Sequence, residues 1–221
     1  MVWDATTWEM LKTGIWETLF MTFASSAISY LIGIPLGIFL VVADADGIRP
    51  MPVLQKMLGV VINLLRSIPF IILLILLIPF TRAIVGTTLG AKAIVPPLVV
   101  AAAPYIARMV ESSFREVDAG VIEAAQSMGA TTWQIIWKVL LPEAKPSLFV
   151  GAAISITTIL GYSAMAGFVG GGGLGTIAIN YGYYRYQTDM MLVTVVLLVI
   201  IVQIIQESWM KVSKITDKRI R

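Results

Sequence analysis

An all-α, polytopic membrane fold with five transmembrane helices and one long cytoplasmic loop is predicted by three observations. Hydrophobic residues make up 58% of the 221 residues and charged residues only 13%, against roughly 25% charged in average soluble chains. The mean hydropathy of +0.88 leaves more apolar surface than a water-soluble core of this length encloses. The apolar residues also fall into runs that approach the ~20 residues a helix needs to cross the hydrocarbon layer.

The runs occupy residues 15–42, 57–80, 93–112, 146–167 and 190–210 within a single domain, 1–221, and leave a loop at 113–145. The first contains Gly33, Pro35 and Gly37, so a kink is expected; neighbouring helices can satisfy the backbone groups freed there. The second holds Arg66 and Pro69, and the third, with Pro96, Pro97 and Pro104, is expected to be the least regular. The fourth is rich in Gly, Ala, Ser and Thr, which in lipid mark close helix packing, so it belongs inside the bundle. Trp3, Trp8 and Trp16 suit an interfacial belt, and the first fourteen residues lack the pattern of a cleaved signal peptide.

An odd number of spans places the termini on opposite sides, and Lys/Arg asymmetry decides which. With the C-terminus inside, Arg49, Lys56, Arg108, Arg115, Lys138, Lys145 and the five basic residues of the tail are cytoplasmic; Lys12, Arg82, Lys92 and Arg185 are outside. The N-terminus is then outside and the long loop cytoplasmic. The basic tail reads as an anchor near anionic membrane lipid and not as a nucleic-acid patch.

The polar interruption from Glu123 to Pro142 reads as two short helices with a hinge. Val121, Ala125 and Met128 recur at helical spacing and form a shallow apolar stripe for a partner surface. Gly129 ends the first helix because glycine takes the left-handed conformation without a Cβ clash. Thr131 with Gln134 fits the capping box that starts the second, and Pro142 is expected to stop it. Glu123 is either a contact to a partner or an acid favoured by the helix dipole.

With no cysteine or histidine in the chain, disulfides, thiolate chemistry, ordinary zinc sites and most catalytic triads are excluded. No enzyme active site and no bound cofactor or metal are expected. The run Gly170 to Gly175 lacks the Lys-Ser or Lys-Thr of a phosphate loop and reads as a tight external turn between spans, so the chain has no visible ATP site of its own. Arg66 lies in the middle of the second run, and an arginine within a span costs about 3 kcal/mol on insertion scales. It either snorkels from the cytoplasmic end or faces the bundle interior near Asn63 and Ser67. Tyr162, Ser163 and Met165 close the fourth span at its outer end, where Met165 either plugs a narrow path or fills a packing gap.

The order Glu123-Ala124-Ala125, three residues, Gly129, nine residues, Val139-x-Leu141-Pro142 resembles the EAA signature of the membrane subunits of ATP-driven importers, the ABC permeases. Val139 replaces the usual Ile, a change that conserves shape. Three further stretches resemble the methionine uptake branch of that family: Arg66 to Arg82, Ala103 to Glu111, and Gly161 through the glycine turn to Tyr183. The resemblance implies a homodimer of five-helix subunits, two copies of a cytoplasmic ATPase that binds ATP and Mg, and an extracytoplasmic, lipid-anchored binding protein that delivers methionine. It makes the loop the coupling helix that docks on the ATPase, with Glu123, Ala124, Ala125, Met128, Gly129 and Pro142 as its site residues. Arg66, Ser67, Tyr162, Ser163 and Met165 are candidates for the path and its gate. Three rival readings stand beside this one: an importer of the same class for a sulfonate, phosphonate or betaine, an ATP-independent secondary transporter, and a non-transporting scaffold.

Overall fold

A computed structural model describes residues 4–217. Trp3 and the tail residues Lys218, Arg219 and Arg221 lie outside the described residues; Trp8 and Trp16 are exposed on the first helix.

Helix α1 (Ala5–Val42) begins earlier than residue 15, because the Asp4 carboxylate accepts from the Thr7 amide at 2.9 Å and caps it. It runs through Pro35 without interruption. One face is a stripe of small residues, Gly14, Thr18, Thr22, Ser25, Ser29, Gly33 and Gly37, all buried. The Thr18 and Thr22 hydroxyls donate back to the carbonyls of Gly14 and Thr18, each at 2.8 Å, so their polar groups stay within the helix. Helix α5 (Ala91–Arg115) lies against this stripe so closely that a Cβ on Gly33 would stand 2.6 Å from Ile106. One on Gly37 would stand 2.6 Å from the Ala107 carbonyl.

The second apolar run is not one continuous helix. It divides into α2 (Pro52–Ser67), α3 (Phe70–Leu76) and α4 (Ile78–Val85), with α2 and α3 bent by 100° at the break. Pro69 disfavours helical geometry in the residue before it, and Ile68 is extended with φ −81° and ψ 124°. Four helices are individually long and apolar enough to cross a membrane, and the bent pair supplies a fifth crossing if counted as one.

Helix α5, expected to be the least regular, is continuous across its three prolines and is the most buried span, with 61% of its apolar window inside the bundle. Central packing explains this: Ile94, Leu98, Ile106, Val110 and Phe114 enter one core with Met21, Phe70, Leu140 and Ile159. The carbonyls that lose a donor to proline are outweighed by the area buried.

Beyond α6 (Ala119–Ser127) the chain enters α7 (Thr132–Ile135), a π-helical turn at Ile136–Leu140, and α8 (Leu141–Met165). Pro142 therefore does not stop the helix that begins at Thr132. It stands where the bonding register passes from five residues back to four, beside the bond from the Leu141 amide to the Ile136 carbonyl, and a missing N–H is tolerated at such a change. The rod from Thr132 to Val169 is one 38-residue helical unit. The small residues of α8, Gly151, Ala152, Ala153 and Ser155, are buried as their composition suggests.

The glycine run is more than a turn between two spans. Gly170, Gly172 and Gly173 have φ between 73° and 80°, and the chain folds back into the bundle as α9 (Gly173–Ile177) and a π-helical segment at Ala178–Tyr183. Glu17 accepts from the Gly173 amide at 2.6 Å and Thr18 from the Leu174 amide at 2.9 Å, which ties the re-entrant segment to α1. Helix α10 (Thr188–Thr216) closes the bundle along α8, where the Ser213 hydroxyl donates to the Pro146 carbonyl at 2.9 Å.

The α1–α5 contact sets a first prediction. Gly37→Val should destabilise the detergent-purified chain by about 1–3 kcal/mol through overpacking. Gly161→Ala should be neutral, because a Cβ there meets nothing within 4 Å. Thermal unfolding of both variants checks the pair, and equal midpoints would show that α1 and α5 separate at little cost.

Candidate functional site

The loop after α5 is built from standard terminators and caps. Asp118 accepts from the Gly120 amide at 2.7 Å and starts α6. Its end is a Schellman motif: the Gly129 amide donates to Gln126 at 2.9 Å, the Ala130 amide to Ala125 at 3.1 Å, and Gly129 itself has φ 77°. Thr131 and Gln134 then form the capping box in both directions, at 2.9 and 3.3 Å. The hinge expected from the sequence is present in both its parts.

The apolar stripe is arranged differently from the expectation. Ala125 is only 7% exposed and packs with Ile135, Ile136 and Leu140, whereas Met128 is 83% exposed. Ala125 thus fixes α6 to the bundle, and Glu123, Ala124 and Met128 are left on the outer side. Glu123 also lines a cleft of about 400 Å³ with Gln126, Arg115, Asp44 and Asp46.

Behind the loop is a charge cluster. Glu111, 5% exposed, accepts from Arg108 at 2.6 Å and from Arg115 at 3.0 Å. Arg115 reaches on to Asp44 at 2.6 Å, and Arg108 donates to the Gly59 carbonyl at 3.1 Å. The cluster ties the base of α5 to α2 and to the turn after α1. Its sequence signal was available: Arg108, Glu111 and Arg115 stand three and four apart, on one helix face.

The other candidates gather at the break between α2 and α3. Arg66 is exposed in the last turn of α2, about 21 Å of helix from Pro52, a place that does not suit snorkelling toward the α1–α2 turn. Its guanidinium lies 5.9 Å from the Tyr105 ring centroid, within range of a cation–π contact. Ser67 is exposed and donates to the Asn63 carbonyl at 2.8 Å. Phe70 stacks on Tyr162 with centroids 4.7 Å apart and planes 7° from parallel, which joins the start of α3 to the end of α8. Ser163 is buried and donates to the Leu160 carbonyl at 2.7 Å, while Met165 is half exposed at the helix end. Among the described residues no His, Cys, Asp or Glu group is arranged to hold a metal ion.

The loop thus presents an exposed face, and the bundle it joins carries a bent helix pair. Residues 33–214 match the family described as binding-protein-dependent transport system inner membrane component, and the chain belongs to that family. It is a permease subunit of an ABC importer.

Its relatives narrow the class. The chain is 48% identical over 204 residues to a probable D-methionine transport system permease protein of Vibrio cholerae, covering 92% of this chain and 91% of that protein. It is 51% identical over 158 residues to the D-methionine transport system permease protein of Escherichia coli, covering 72% and 73%. A solved structure of the MetNI methionine ABC transporter in an inward-facing conformation aligns with TM-score 0.96 and 46% identity over 97% of this chain and all of that one. A crystal structure of an amino acid ABC transporter, 20% identical, shares the fold with TM-score 0.72.

The charge cluster gives the second prediction. Glu111→Leu should cost about 2 kcal/mol, since it strands Arg108 and half-exposed Arg115 without their buried acceptor. The loss should appear in hydrogen exchange at the ends of α2 and α5 before α10 is affected. Uniform protection in the variant would show that the cluster is not what ties these elements together.

Proposed function

We propose that this chain is the permease of a methionine importer, carrying the L isomer and the D isomer named for its relatives. It works as a homodimer with two copies of a cytoplasmic ATPase that binds ATP and Mg. A lipid-anchored binding protein outside delivers the cargo. Each copy is one domain with five crossings, the bent α2–α3 pair being the second, the N-terminus outside and the C-terminus cytoplasmic.

The observation that carries the mechanism is the continuity of the rod that starts at Thr132. At about 1.5 Å per residue it is roughly 55 Å long, and it connects the hinge at Gly129 directly to Tyr162, Ser163 and Met165. Helix α6 presents Glu123, Ala124 and Met128 to the ATPase, Ala125 holds α6 on the bundle, and the capping box fixes the angle at which the rod begins. Closure of the ATPases on ATP moves the loops together. A rod without an interior stop transmits that movement to the outer end, and Met165 and the Phe70–Tyr162 stack separate to open the path. Arg66 and Ser67, exposed at the break in the second crossing, line it. Hydrolysis returns the inward-facing state.

Proteoliposomes holding this chain with its ATPase and binding protein should take up labelled L-methionine only when ATP is on the ATPase side. Complex formation with ATP hydrolysis but no methionine uptake would retain the importer and discard the cargo. Uptake without the ATPase would overturn both. Gly129→Val, which places a β-branched residue at φ 77°, should hydrolyse ATP with uptake reduced at least tenfold; wild-type uptake would remove the hinge from the mechanism. Met165→Ala should raise basal ATPase or leak, and unchanged rates would return Met165 to packing.

A further inference from the structure

A groove runs along the outside of the bundle between α1 and α8. Phe23, Tyr30 and Ile34 form one wall, Phe149 and Lys145 the other, and Trp209 of α10 closes the side, around a volume of about 440 Å³. Its surface is almost entirely carbon, because the Tyr30 hydroxyl is engaged with the Ser155 hydroxyl at 2.6 Å. The exception is Lys145, exposed and without an ion pair among the described residues.

We propose that this groove binds one anionic phospholipid, its acyl chain along α1 and its phosphate at Lys145. Three features select that occupant. The cation sits at one end, with Trp209 packed on Phe149 at 6.0 Å beside it; a basic side chain next to an indole is the pairing found at headgroup level. From Phe23 to Ile34 α1 rises about 16 Å, close to the ~15 Å depth of one leaflet, half of a hydrocarbon core of ~30 Å. The groove's lining, almost entirely carbon apart from Lys145, also suits an acyl chain. Tyr30 and Ile34 wall a second apolar cleft that continues to Trp133 and Trp137 at the start of the rod, so the lipid lies in contact with the same helix that joins the loop to the outer end.

The test is native mass spectrometry of the detergent-purified full-length chain, titrated separately with phosphatidylglycerol and phosphatidylcholine. One phosphatidylglycerol per chain should be retained in preference to phosphatidylcholine. Lys145→Gln should weaken phosphatidylglycerol about fivefold, the effect of one basic residue on an anionic lipid, and leave phosphatidylcholine unchanged. Ala27→Phe, a substitution at an exposed position that lines the groove, should reduce retention of both lipids. Equal affinity for the two lipids, or retention unaffected by both variants, would overturn the proposal. So would a disulfide between copies in Ala27→Cys, which would make the groove a contact of the dimer.

Discussion

The close approach of α1 to α5 is the constraint from which the rest of the structure follows. Two helices with large residues at their contact lie 8–10 Å apart, but Gly33 and Gly37 leave room only for Ile106, Val110 and the backbone at Ala103 and Ala107. In lipid there is no hydrophobic drive to join helices, so packing at short range is the main attraction available. The small stripe uses it along most of α1, against α5 at one end and against Leu174 and Ile177 of the re-entrant segment at the other, where Gly14 lies beside them. With α1 fixed, α5 becomes central and α8 packs against both. Helices α2, α3, α4 and α10 are then left with broad exposed apolar faces, including Leu64, Ile72, Val196 and Ile204.

Much of this arrangement was legible in the chain. The spans, the Gly129 hinge and the Thr131–Gln134 box follow from local rules, because caps and glycine turns depend on a few neighbouring residues. The failures share a physical origin. Pro142 signals a stop because a proline lacks a donor, but a π turn upstream changes which donors are needed. Pro96, Pro97 and Pro104 signalled irregularity, yet burial of α5 overrode the lost bonds. The reverse happened at Pro69, where hydropathy suggested one span and the preference of Ile68 for extended backbone broke it.

What remained illegible is what depends on elements distant in sequence. Glu17 meets Gly173 across 156 residues, and Arg115 meets Asp44 across 71; nothing local to either partner announces the other. Ala125 shows the same limit. Its place in a helical stripe was correct, but whether that stripe faces a partner or the bundle depends on Ile135, Ile136 and Leu140 folding back over it, which no periodicity within α6 records.

Burial is unevenly distributed among the helices. Only 17% of the apolar window of α10 is buried, against 61% for α5, and α3 is a short helix between two breaks. The rod containing α8 meets the short α3 through Phe70 and Tyr162. An aromatic pair contributes about 0.5–1.5 kcal/mol beyond its area, which closes a contact at rest but is small beside the energy that holds α1, α5 and α8 together. In the proposed mechanism a movement entering at the loop passes along the rod to this contact. In that mechanism the stack beside Met165 separates, while the glycine-rich segment after it is tied to α1 by Glu17 and Thr18.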